Sequence, residues 1–363
     1  MAADTRDSVF DSARAEQFAE SLLQHFNGGA LGLMTSIGHR TGLFDHMAKM
    51  APASSHEIAA AASLNERYVR EWLGAMTTGG IVECDSSGTL FHLPAEHAAC
   101  MTREAGADNM ATLAQYFGLL GSVEDGIVDC FRNGGGVPYE AFGRFHEVMA
   151  EDSGQSVLPA LIGQILPLAP GIPEALEAGI DVLDVGCGSG RALNLMAARY
   201  PRSRFVGYDL SEGALQVARQ EAATAKLNNV RFEQRDLTHF SDPARYDLVT
   251  AFDAIHDQKD PASVLRGIAS ALRPGATFLM QDIAGSSHVH KNLDHPIAPL
   301  LYTISCMHCM TVSLAQDGEG LGAMWGAEKA NELLRLAGFK NVEVRELSHD
   351  IQNHYYIARI QES

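Results

Sequence analysis

The sequence contains few basic residues for its length. Lysine and arginine number 27 against 45 aspartates and glutamates, which gives the 363 residues a formal net charge of −18. A surface of this sign repels phosphate groups, so we expect neither nucleic acid nor an anionic membrane as the main partner. The length and the 46% hydrophobic content are typical of a globular protein with two domains, and we expect it to act on a small molecule.

Cysteine is sparse as well, and long apolar runs are missing. The 6 cysteines, at positions 84, 100, 130, 187, 306 and 309, indicate free thiols rather than a disulfide framework. The opening MAADTRDSVFDSARAEQ lacks the basic and apolar regions of a secretory signal. Glycine and charged residues interrupt every apolar run before the roughly 18 residues that a spanning helix needs. We therefore expect a cytoplasmic protein that is not inserted in a membrane.

The first hundred residues have the pattern of a winged helix. Apolar residues recur at helical spacing from Leu33 to Met47, Ser54 and Asn65 are predicted N-caps of two further helices, and Gly79 ends the last one. IVECDSSGTLFHL follows as two short strands around a turn. Such a domain serves either DNA binding or dimerisation. Because the chain is acidic, we predict a dimerisation domain over residues 1–105 and a homodimer.

Helical patterns continue to about residue 170, interrupted by the non-helical loop NGGGVP. We predict a helical linker and lid over residues 106–170. From Ile180 onward strands alternate with helices, which is the pattern of a mostly parallel sheet covered on both faces. The predicted strands are IDVLDVG, RFVGYDL, VRFEQRD, YDLVTAF and TFLMQDI, and two more close the chain. The expected fold is therefore an α/β catalytic domain over residues 171–363.

A glycine-rich turn follows the first of these strands. Asp184 ends the strand, and Gly186, Gly188 and Gly190 lead directly into a helix. Glycine allows a sharp turn and a close backbone approach to a ligand, and the helix begins with unpaired N–H groups. The turn G-C-G-S-G differs from the dinucleotide form G-x-G-x-x-G, so a nucleoside-like ligand without a pyrophosphate is favoured.

Two further strands end in carboxylates. Asp209 ends the second strand, where it can accept hydrogen bonds from both hydroxyls of a ribose. Asp236 and Leu237 end the third strand, where they are placed to meet an adenine ring. An acid at a strand end can also serve only to cap the next helix.

The phrase VLDVGCGSG resembles the signature of class I S-adenosylmethionine-dependent methyltransferases, and the winged-helix beginning is similar to their small-molecule branch. The resemblance implies a Rossmann-like domain with a seven-stranded, mostly parallel sheet and S-adenosylmethionine as the cofactor. The cofactor-binding residues that it implies are Asp184, Gly186, Gly188, Gly190, Asp209, Leu210, Asp236, Leu237, Phe252 and Asp253.

Residues for the methyl acceptor are expected after the fourth strand and in a long insertion before the end of the chain. In AFDAIHDQKDP, His256 is the predicted base and Asp257 the neighbour that orients it, although a histidine there could also cap a helix. The phrase IHDQ, together with LYTISCMHCMTVSLAQ and LGAMWG from the insertion between Ala284 and Trp325, resembles a bacterial and invertebrate branch of winged-helix methyltransferases. The further catalytic candidates are Tyr302 and His308, and the predicted pocket residues are Tyr116, Tyr139, Cys306, Met307 and Trp325.

Cys306 and Cys309 could bind zinc together with a nearby histidine. A second pair of ligands at the usual spacing is missing from the sequence, so we predict no metal and a sulfur-rich apolar wall instead. A soft wall of this kind suits a small sulfur acceptor, and thiols ionise near neutral pH, so they need only a weak base. The sequence therefore favours S-methylation of a thiol or sulfide. The alternatives are O-methylation of a hydroxylated metabolite and a regulator that senses S-adenosylmethionine.

Overall fold

The computed structural model describes residues 10–155, 157–348 and 350–360. The chain divides into two compact units between Gly118 and Leu119. The predicted three-part division at residues 105 and 170 remains a prediction. Among the described residues no single helix is long and apolar enough to cross a membrane, but the bent pair 145–168 and 172–178 meets the test by length and composition.

The first unit is mainly helical. Its helices are α1 (Ser12–Thr41), α2 (Leu43–Met47), α3 (Ser55–Ala61), α4 (Glu66–Thr78) and α5 (Ala95–Met101), and the antiparallel strands β1 (Glu83–Cys84) and β2 (Phe91–His92) lie between α4 and α5. The predicted caps are confirmed: the side chain of Ser54 accepts from the backbone N–H of Glu57, and that of Asn65 from Arg67.

The apolar stripe expected from Leu33 to Met47 is divided between two helices. Gly42 has φ +72°, in the left-handed region, and it ends α1 before α2 begins. Leu33 is 48% exposed on α1, whereas Leu43 and Phe44 of α2 are buried against α3 and α4 in the core of this unit. The helical spacing was therefore predicted correctly, but the helix boundary at Gly42 was not.

Helices also precede the sheet in the second unit. They are α6 (Gln115–Gly121, across the boundary), α7 (Glu124–Asn133), α8 (Phe145–Gln155), α9 (Val157–Ala160) and α10 (Ile172–Ala178). The non-helical loop predicted at NGGGVP is confirmed for Gly134 to Pro138, but its first residue, Asn133, still belongs to α7. The backbone N–H of Val137 donates to Thr311 Oγ1 at 2.7 Å, and a Cβ at Gly136 would collide with the carbonyl oxygen of Thr311. Glycine thus lets this loop lie directly on a later helix.

The sheet has seven strands in the order β5-β4-β3-β6-β7-β9-β8, so the predicted fold class is confirmed. The strands are β3 (Asp181–Val185), β4 (Arg204–Asp209), β5 (Val230–Gln234), β6 (Tyr246–Phe252), β7 (Leu272–Ile283), β8 (Lys340–Leu347) and β9 (Asp350–Arg359). β3 to β7 are parallel, and β9 runs antiparallel to both of its neighbours. Buried apolar clusters cover both faces of the sheet.

Helices connect the strands. The strand order reverses at β3, because β4 and β5 are added on one side of it and β6 and β7 on the other. The helices are α11 (Arg191–Arg199), α12 (Glu212–Thr224), α13 (Pro261–Ala271), α14 (Ala298–Ile304), α15 (Met310–Leu314) and α16 (Gly326–Leu336), with a π-helical turn over Ser305–Cys309. β3 pairs with β4 on one side and with β6 on the other. In open parallel sheets a ligand binds at the carboxyl ends of the strands where the order reverses, so the fold places the site between β3 and β6.

Candidate active site

A cavity of about 670 Å³ lies at the carboxyl ends of β3, β4 and β6. Its inner wall consists of the segments that directly follow these strands and of polar residues at the ends of β7 and β9. Residues 138–155, which we call the outer wall segment, supply many of the remaining side chains. Cavities of this size hold small molecules and cofactors in other proteins.

The glycines after β3 have two different tasks. Gly186, Gly188 and Gly190 all have positive φ, at +72°, +51° and +66°. A Cβ at Gly186 would lie 2.5 Å from the Cβ of Ala254, and one at Gly190 would lie 2.5 Å from the ring of Phe232, whereas nothing stands within 4 Å of a Cβ at Gly188. The outer two glycines thus allow tight packing, and Gly188 leaves open space beside the cavity.

Asp209 connects this glycine turn to the segment after β4 by hydrogen bonds. Its Oδ2 accepts from the backbone N–H of Gly188 and its Oδ1 from that of Ser211, both at 2.8 Å. Each carboxylate oxygen keeps a further lone pair that can accept from a hydroxyl group. The side chain is half-buried and lines the cavity, next to the exposed Leu210. This pair of acceptor oxygens fits the hydroxyl groups of the ribose in an adenosyl group.

Two more predicted carboxylates line the same part of the cavity. Asp184 is buried, Thr250 Oγ1 donates to its Oδ1 at 2.7 Å, and burial raises its pKa to about 7. Asp236 accepts from the backbone N–H of Thr238 at 2.9 Å, and the buried Leu237 follows it. The predicted cofactor residues that line the cavity are Asp184, Gly186, Gly188, Asp209, Leu210, Asp236, Leu237, Phe252 and Asp253, while Gly190 packs behind the turn.

His256 lies deeper than these residues. Its side chain is 3% exposed, and its Nδ1 is 2.8 Å from Oδ1 of the fully buried Asp282. The indole N–H of Trp325 donates to the same Asp282 oxygen at 2.9 Å, as does the N–H of Ile283. Burial is the largest single contribution and lowers the pKa of His256, but the charge of Asp282, the hydrogen bond to it and the nearby Cys309 together outweigh burial and hold the pKa well above its usual value.

The carboxylates next to His256 line the cavity although His256 does not. Burial raises the pKa of Asp257 to about 6 and that of Asp253 to about 7, and the charge of His256 opposes both shifts. Asp253 has φ +55°, and its Oδ1 is 3.8 Å from His256 Nδ1. A carboxyl group therefore presents itself to the cavity where the sequence analysis had expected an imidazole.

His308 is enclosed by aromatic rings. It stacks on Phe145 with 3.5 Å between ring centroids, and Phe142 and Tyr139 meet it edge-on at 4.7 Å and 5.4 Å. Burial lowers the pKa of His308 to about 3, so the ring is neutral. The three aromatic residues line the cavity, and His308 lies behind them.

The other predicted acceptor residues lie apart from the cavity lining. Tyr302 accepts from Asn292 Nδ2 at 2.9 Å, and the Trp325 indole is held on Asp282. Cys306 and Met307 are half-buried in the π-helical turn, and Tyr116 is buried in the first unit. Of the predicted pocket residues, Tyr139 alone is among the described residues that line the cavity. Roles for the others remain predictions.

Several lining residues were not predicted. Phe142, Phe145 and His146 lie just before and at the start of α8, in a stretch without a distinctive motif, so no sequence signal marked them. Gln281 and Asn353 lie at the ends of β7 and β9. A signal existed for Gln281, because it lies two residues before the end of the predicted strand TFLMQDI, which is adjacent to the strand that Asp253 follows.

The zinc site considered at Cys306 and Cys309 can be compared with the cluster of possible metal-ligand groups in the structure. Among the described ranges, the cluster of possible ligand groups contains neither Cys306 nor Cys309; it consists of Asp253, His256 and Asp282, with donor atoms within 4.8 Å. In this cluster His256 and Asp282 already hydrogen-bond each other, which we interpret as a histidine–carboxylate pair.

Comparisons with known proteins agree with this geometry. Residues 29–103 match the Rv2258c-like winged HTH domain, and residues 176–322 match a methyltransferase domain family. The ubiquinone biosynthesis O-methyltransferase of Leptothrix cholodnii is 33% identical over 107 residues, which are 29% of this chain and 45% of that protein. The chain spans about half the length of the curated relatives it matches.

Solved structures share the fold over nearly the whole chain. Human N-acetylserotonin methyltransferase in complex with SAM has a TM-score of 0.69 at 17% identity, covering 98% of this chain and 99% of that one. The mitomycin 7-O-methyltransferase MmcR has a TM-score of 0.71 at 17% identity, covering 96% and 100%. Fold and domain matches thus define a class I methyltransferase. In this chain a winged-helix domain thus precedes an S-adenosylmethionine-dependent methyltransferase domain.

Proposed function

We propose that the protein transfers a methyl group from S-adenosylmethionine to a hydroxyl group of a small molecule. The observation that carries the proposal is one cavity with ribose-type hydrogen-bond acceptors at one end and an accessible carboxylate, Asp257, at the other. A hydroxyl acceptor must lose a proton, and this cavity offers a group that can take it. The named relatives include O-methyltransferases, and no relative reported above supports the thiol or sulfide acceptor that the sequence analysis favoured.

The cofactor end of the cavity suits an adenosyl sulfonium. When bound, S-adenosylmethionine would supply an electrophilic methyl group to a lone pair of the acceptor oxygen, and the electron pair of the C–S bond would remain on its sulfur. We assign Asp184 and the turn from Gly186 to Gly190 to the methionyl part. We assign Asp209 to the ribose, and Asp236 and Leu237 to the adenine, as the resemblance implied.

The acceptor end combines an apolar wall with carboxyl groups. Tyr139, Phe142 and Phe145 supply aromatic surface that can exclude water from the reacting atoms. Asp253 and Asp257 lie at the inner end of this wall. Carboxylates repel an anionic acceptor, so an uncharged hydroxyl compound fits this end better than a carboxylic acid.

An acceptor panel tests the proposal. Purified protein is incubated with S-adenosylmethionine carrying a labelled methyl group and with phenols, enols, alcohols, thiols, sulfide, carboxylates and amines, and the products are identified by mass spectrometry. We expect an O-methylated product from a hydroxyl compound. Methylation of thiols or sulfide alone would restore the original expectation and contradict the O-methyltransferase proposal.

We also propose that the protein is a cytoplasmic homodimer that uses α1 as an interface. Apolar side chains on α1 recur at spacings of three, seven and four residues, which places them on one side of the helix. They are Leu23, Phe26, Leu33 and Ile37, and they are 61%, 64%, 48% and 46% exposed. Light scattering should give twice the chain mass for the wild type and the chain mass for Phe26→Ser/Leu33→Ser. A wild-type monomer would contradict the dimer.

The regulator alternative predicts DNA binding by the first unit. The net charge of −18 opposes it, and we propose that nucleic acid is not a partner. A mobility shift of any duplex at low salt would overturn this part of the proposal.

A further inference from the structure

We propose that buried oxygens at the ends of β7 and β9 bind an amino group of the methyl acceptor. The inference rests on the proposed function and deepens it, because it gives the chemical class of the acceptor: a hydroxyl compound that also carries a protonated amine. Three observations support it: unpaired oxygens in the cavity lining, the fixed orientation of one of them, and the charge of the side chains around them.

Two amide side chains at these strand ends are buried without complete hydrogen bonding. Gln281 and Asn353 line the cavity, and they are only 2% and 3% exposed. Among the described residues, neither Gln281 Oε1 nor Asn353 Oδ1 has a hydrogen-bond partner. A buried oxygen without a donor costs stability, and most buried polar atoms in proteins are paired. Two such oxygens at one cavity therefore indicate that a ligand supplies the missing donors.

The sheet brings the two amides to the same place. Gln281 on β7 pairs with Tyr355 on the antiparallel strand β9, and Asn353 lies two residues before Tyr355. Residues two apart in a strand point to the same face of the sheet, and so do residues that are directly paired across two strands. Gln281 and Asn353 are therefore diagonal neighbours on one face, where a single small group can reach both.

The hydrogen bonds of Asn353 show which atom is left for a ligand. Asn353 Nδ2 donates to Oδ1 and Oδ2 of Asp350 at 3.1 Å and 3.0 Å, and the Tyr355 hydroxyl donates to the same carboxylate at 2.5 Å. An ionised carboxylate can only accept, so the amide nitrogen must face Asp350. The free atom of Asn353 is thus an oxygen, and its ligand must donate an N–H or O–H.

The charge around these oxygens favours a cationic donor. The backbone N–H of Asp253 donates to the carbonyl of Gln281 at 3.0 Å, and Asp253 Oδ1 is also buried without a hydrogen-bond partner within the described part of the chain. The charges of Asp152 and Asp257 act on Asp253 from the outer wall segment and from its own loop. Charges that repel an anionic acceptor attract an ammonium group, which has three N–H donors. We call Asp253, Gln281 and Asn353 the amine subsite.

Positive side chains near the cavity do not cancel this charge. Arg191 lines the cavity, but its Nε is 3.3 Å from Oε1 of Glu221. Lys259 also lines it, and the charge of Lys259 acts on Asp236 at the cofactor end. His256 is held 2.8 Å from a buried carboxylate on β7, which compensates its charge. The uncompensated charge beside the amine subsite is therefore negative.

The methyl donor carries an ammonium group as well, but its methionyl part is assigned to another place. That part was assigned to Asp184 and the glycine turn after β3, and β6 lies between β3 and β7 in the sheet. An amine on β7 and β9 thus belongs to the acceptor. Tyr139, Phe142 and Phe145 supply aromatic surface in the same cavity, on which a ring carrying both the hydroxyl and the amine can pack.

The test uses three phenols of similar size that differ at the end of the side chain: tyramine, 4-propylphenol and 3-(4-hydroxyphenyl)propionate. Calorimetry measures the binding of each compound to protein saturated with S-adenosylhomocysteine. We expect tyramine to bind roughly tenfold or more tightly than 4-propylphenol, and the propionate to bind most weakly. Binding of 4-propylphenol or the propionate that equals or exceeds that of tyramine would overturn the inference.

Two variants locate the effect at the amide oxygens. Gln281→Met should weaken tyramine binding roughly tenfold or more and change 4-propylphenol binding by less than about threefold. Because it removes a buried unpaired oxygen, it should not lower the unfolding temperature. Asn353→Ala should weaken tyramine binding in the same direction, and the exposed control Gln220→Met on α12 should behave like the wild type. Full tyramine affinity in both Gln281→Met and Asn353→Ala would overturn the amine subsite.

The methylation products separate this inference from the proposed function. O-methylation of hydroxyl compounds with no preference for those that carry an amine would contradict the amine subsite and keep the O-methyltransferase proposal. Methyl transfer to the nitrogen of tyramine would place the amine at the reacting atoms and would also overturn the subsite. Selective tyramine binding without any O-methylated product in the panel would support the subsite and contradict the proposed function.

Discussion

The two ends of the cavity are built in different ways. At the cofactor end, short segments that follow β3, β4 and β5 bring together a glycine turn and the carboxylates Asp209 and Asp236. Much of the binding surface there is backbone, fixed by the strand ends. At the acceptor end, side chains arrive from the outer wall segment, from the loop after β6 and from the ends of β7 and β9. Their positions depend on packing between parts of the chain that are far apart in sequence.

This difference separates what is general from what is specific in the molecule. Any protein that binds the same donor on the same sheet can reuse the first arrangement, because the geometry follows from the strand order. The second arrangement determines the acceptor, and it depends on buried charges and rings such as Asp282 and His308. The predictions below test this contrast, in order of the expected effect.

The largest effect should come from removing the buried charge at the acceptor end. Asp282→Asn leaves His256 without its charged partner in a fully buried position, and loss of one member of a buried ion pair costs about 3–5 kcal/mol. Because the pKa of His256 is raised in the folded state, the wild-type contribution is complete below pH 6.5 and is lost as pH rises through the folded pKa.

Urea unfolding at pH 6 and at pH 9 measures this contribution. The difference in unfolding free energy between wild type and Asp282→Asn should be larger at pH 6. A difference that is the same at both pH values would mean that the pair is not charged in the way described here.

The second prediction compares two glycines within the cofactor turn. Gly190→Ala places a methyl group against Phe232 and Ala218 at a positive φ, and strain plus overpacking should cost roughly 2–4 kcal/mol. Gly188→Ala meets open space, so backbone strain alone should cost roughly 1–2 kcal/mol. Thermal unfolding of both variants checks the order, and equal losses would contradict the division of tasks within the turn.

The third prediction concerns the donor. Asp209→Asn removes a charged acceptor of ribose hydroxyl bonds, and such bonds contribute about 1.5–3 kcal/mol, or roughly 10- to 150-fold in affinity. Equilibrium dialysis with S-adenosylhomocysteine measures the loss, and Asp294→Asn is the matched control outside the cavity lining. Undiminished affinity in Asp209→Asn would remove Asp209 from the cofactor site.

The cofactor end of the cavity could be predicted from the sequence, whereas most of the acceptor end could not. The turn at Gly188 and the carboxylate of Asp209 are close to strand ends that the alternation of apolar residues already marks, so the sheet and the cofactor end could be located in advance. Trp325 was expected in the acceptor pocket, yet its indole binds Asp282. Which side of a buried helix or loop faces a cavity depends on tertiary packing, and no local pattern encodes it.

The smallest effect is expected at His308. The ring is neutral and lies among aromatic side chains, so His308→Phe should change the unfolding free energy by less than about 1 kcal/mol at pH 7.5. Its lowered folded pKa destabilises the wild type as pH falls from 6.5 toward about 3. Relative to wild type, the variant should therefore gain stability in that interval. Chemical unfolding of His308→Phe and wild type at pH 7.5 and pH 5 measures this gain. A histidine that is charged in the folded protein would give no relative gain for the variant at pH 5.

Hydrogen–deuterium exchange with and without S-adenosylmethionine tests the central claim most directly, because it reports where the donor binds. The account predicts slower exchange of backbone amides in residues 186–190, 209–211 and 236–238 when the donor is added. Unchanged exchange in all three segments at a saturating donor concentration would contradict the placement of the donor at the carboxyl ends of β3, β4 and β5.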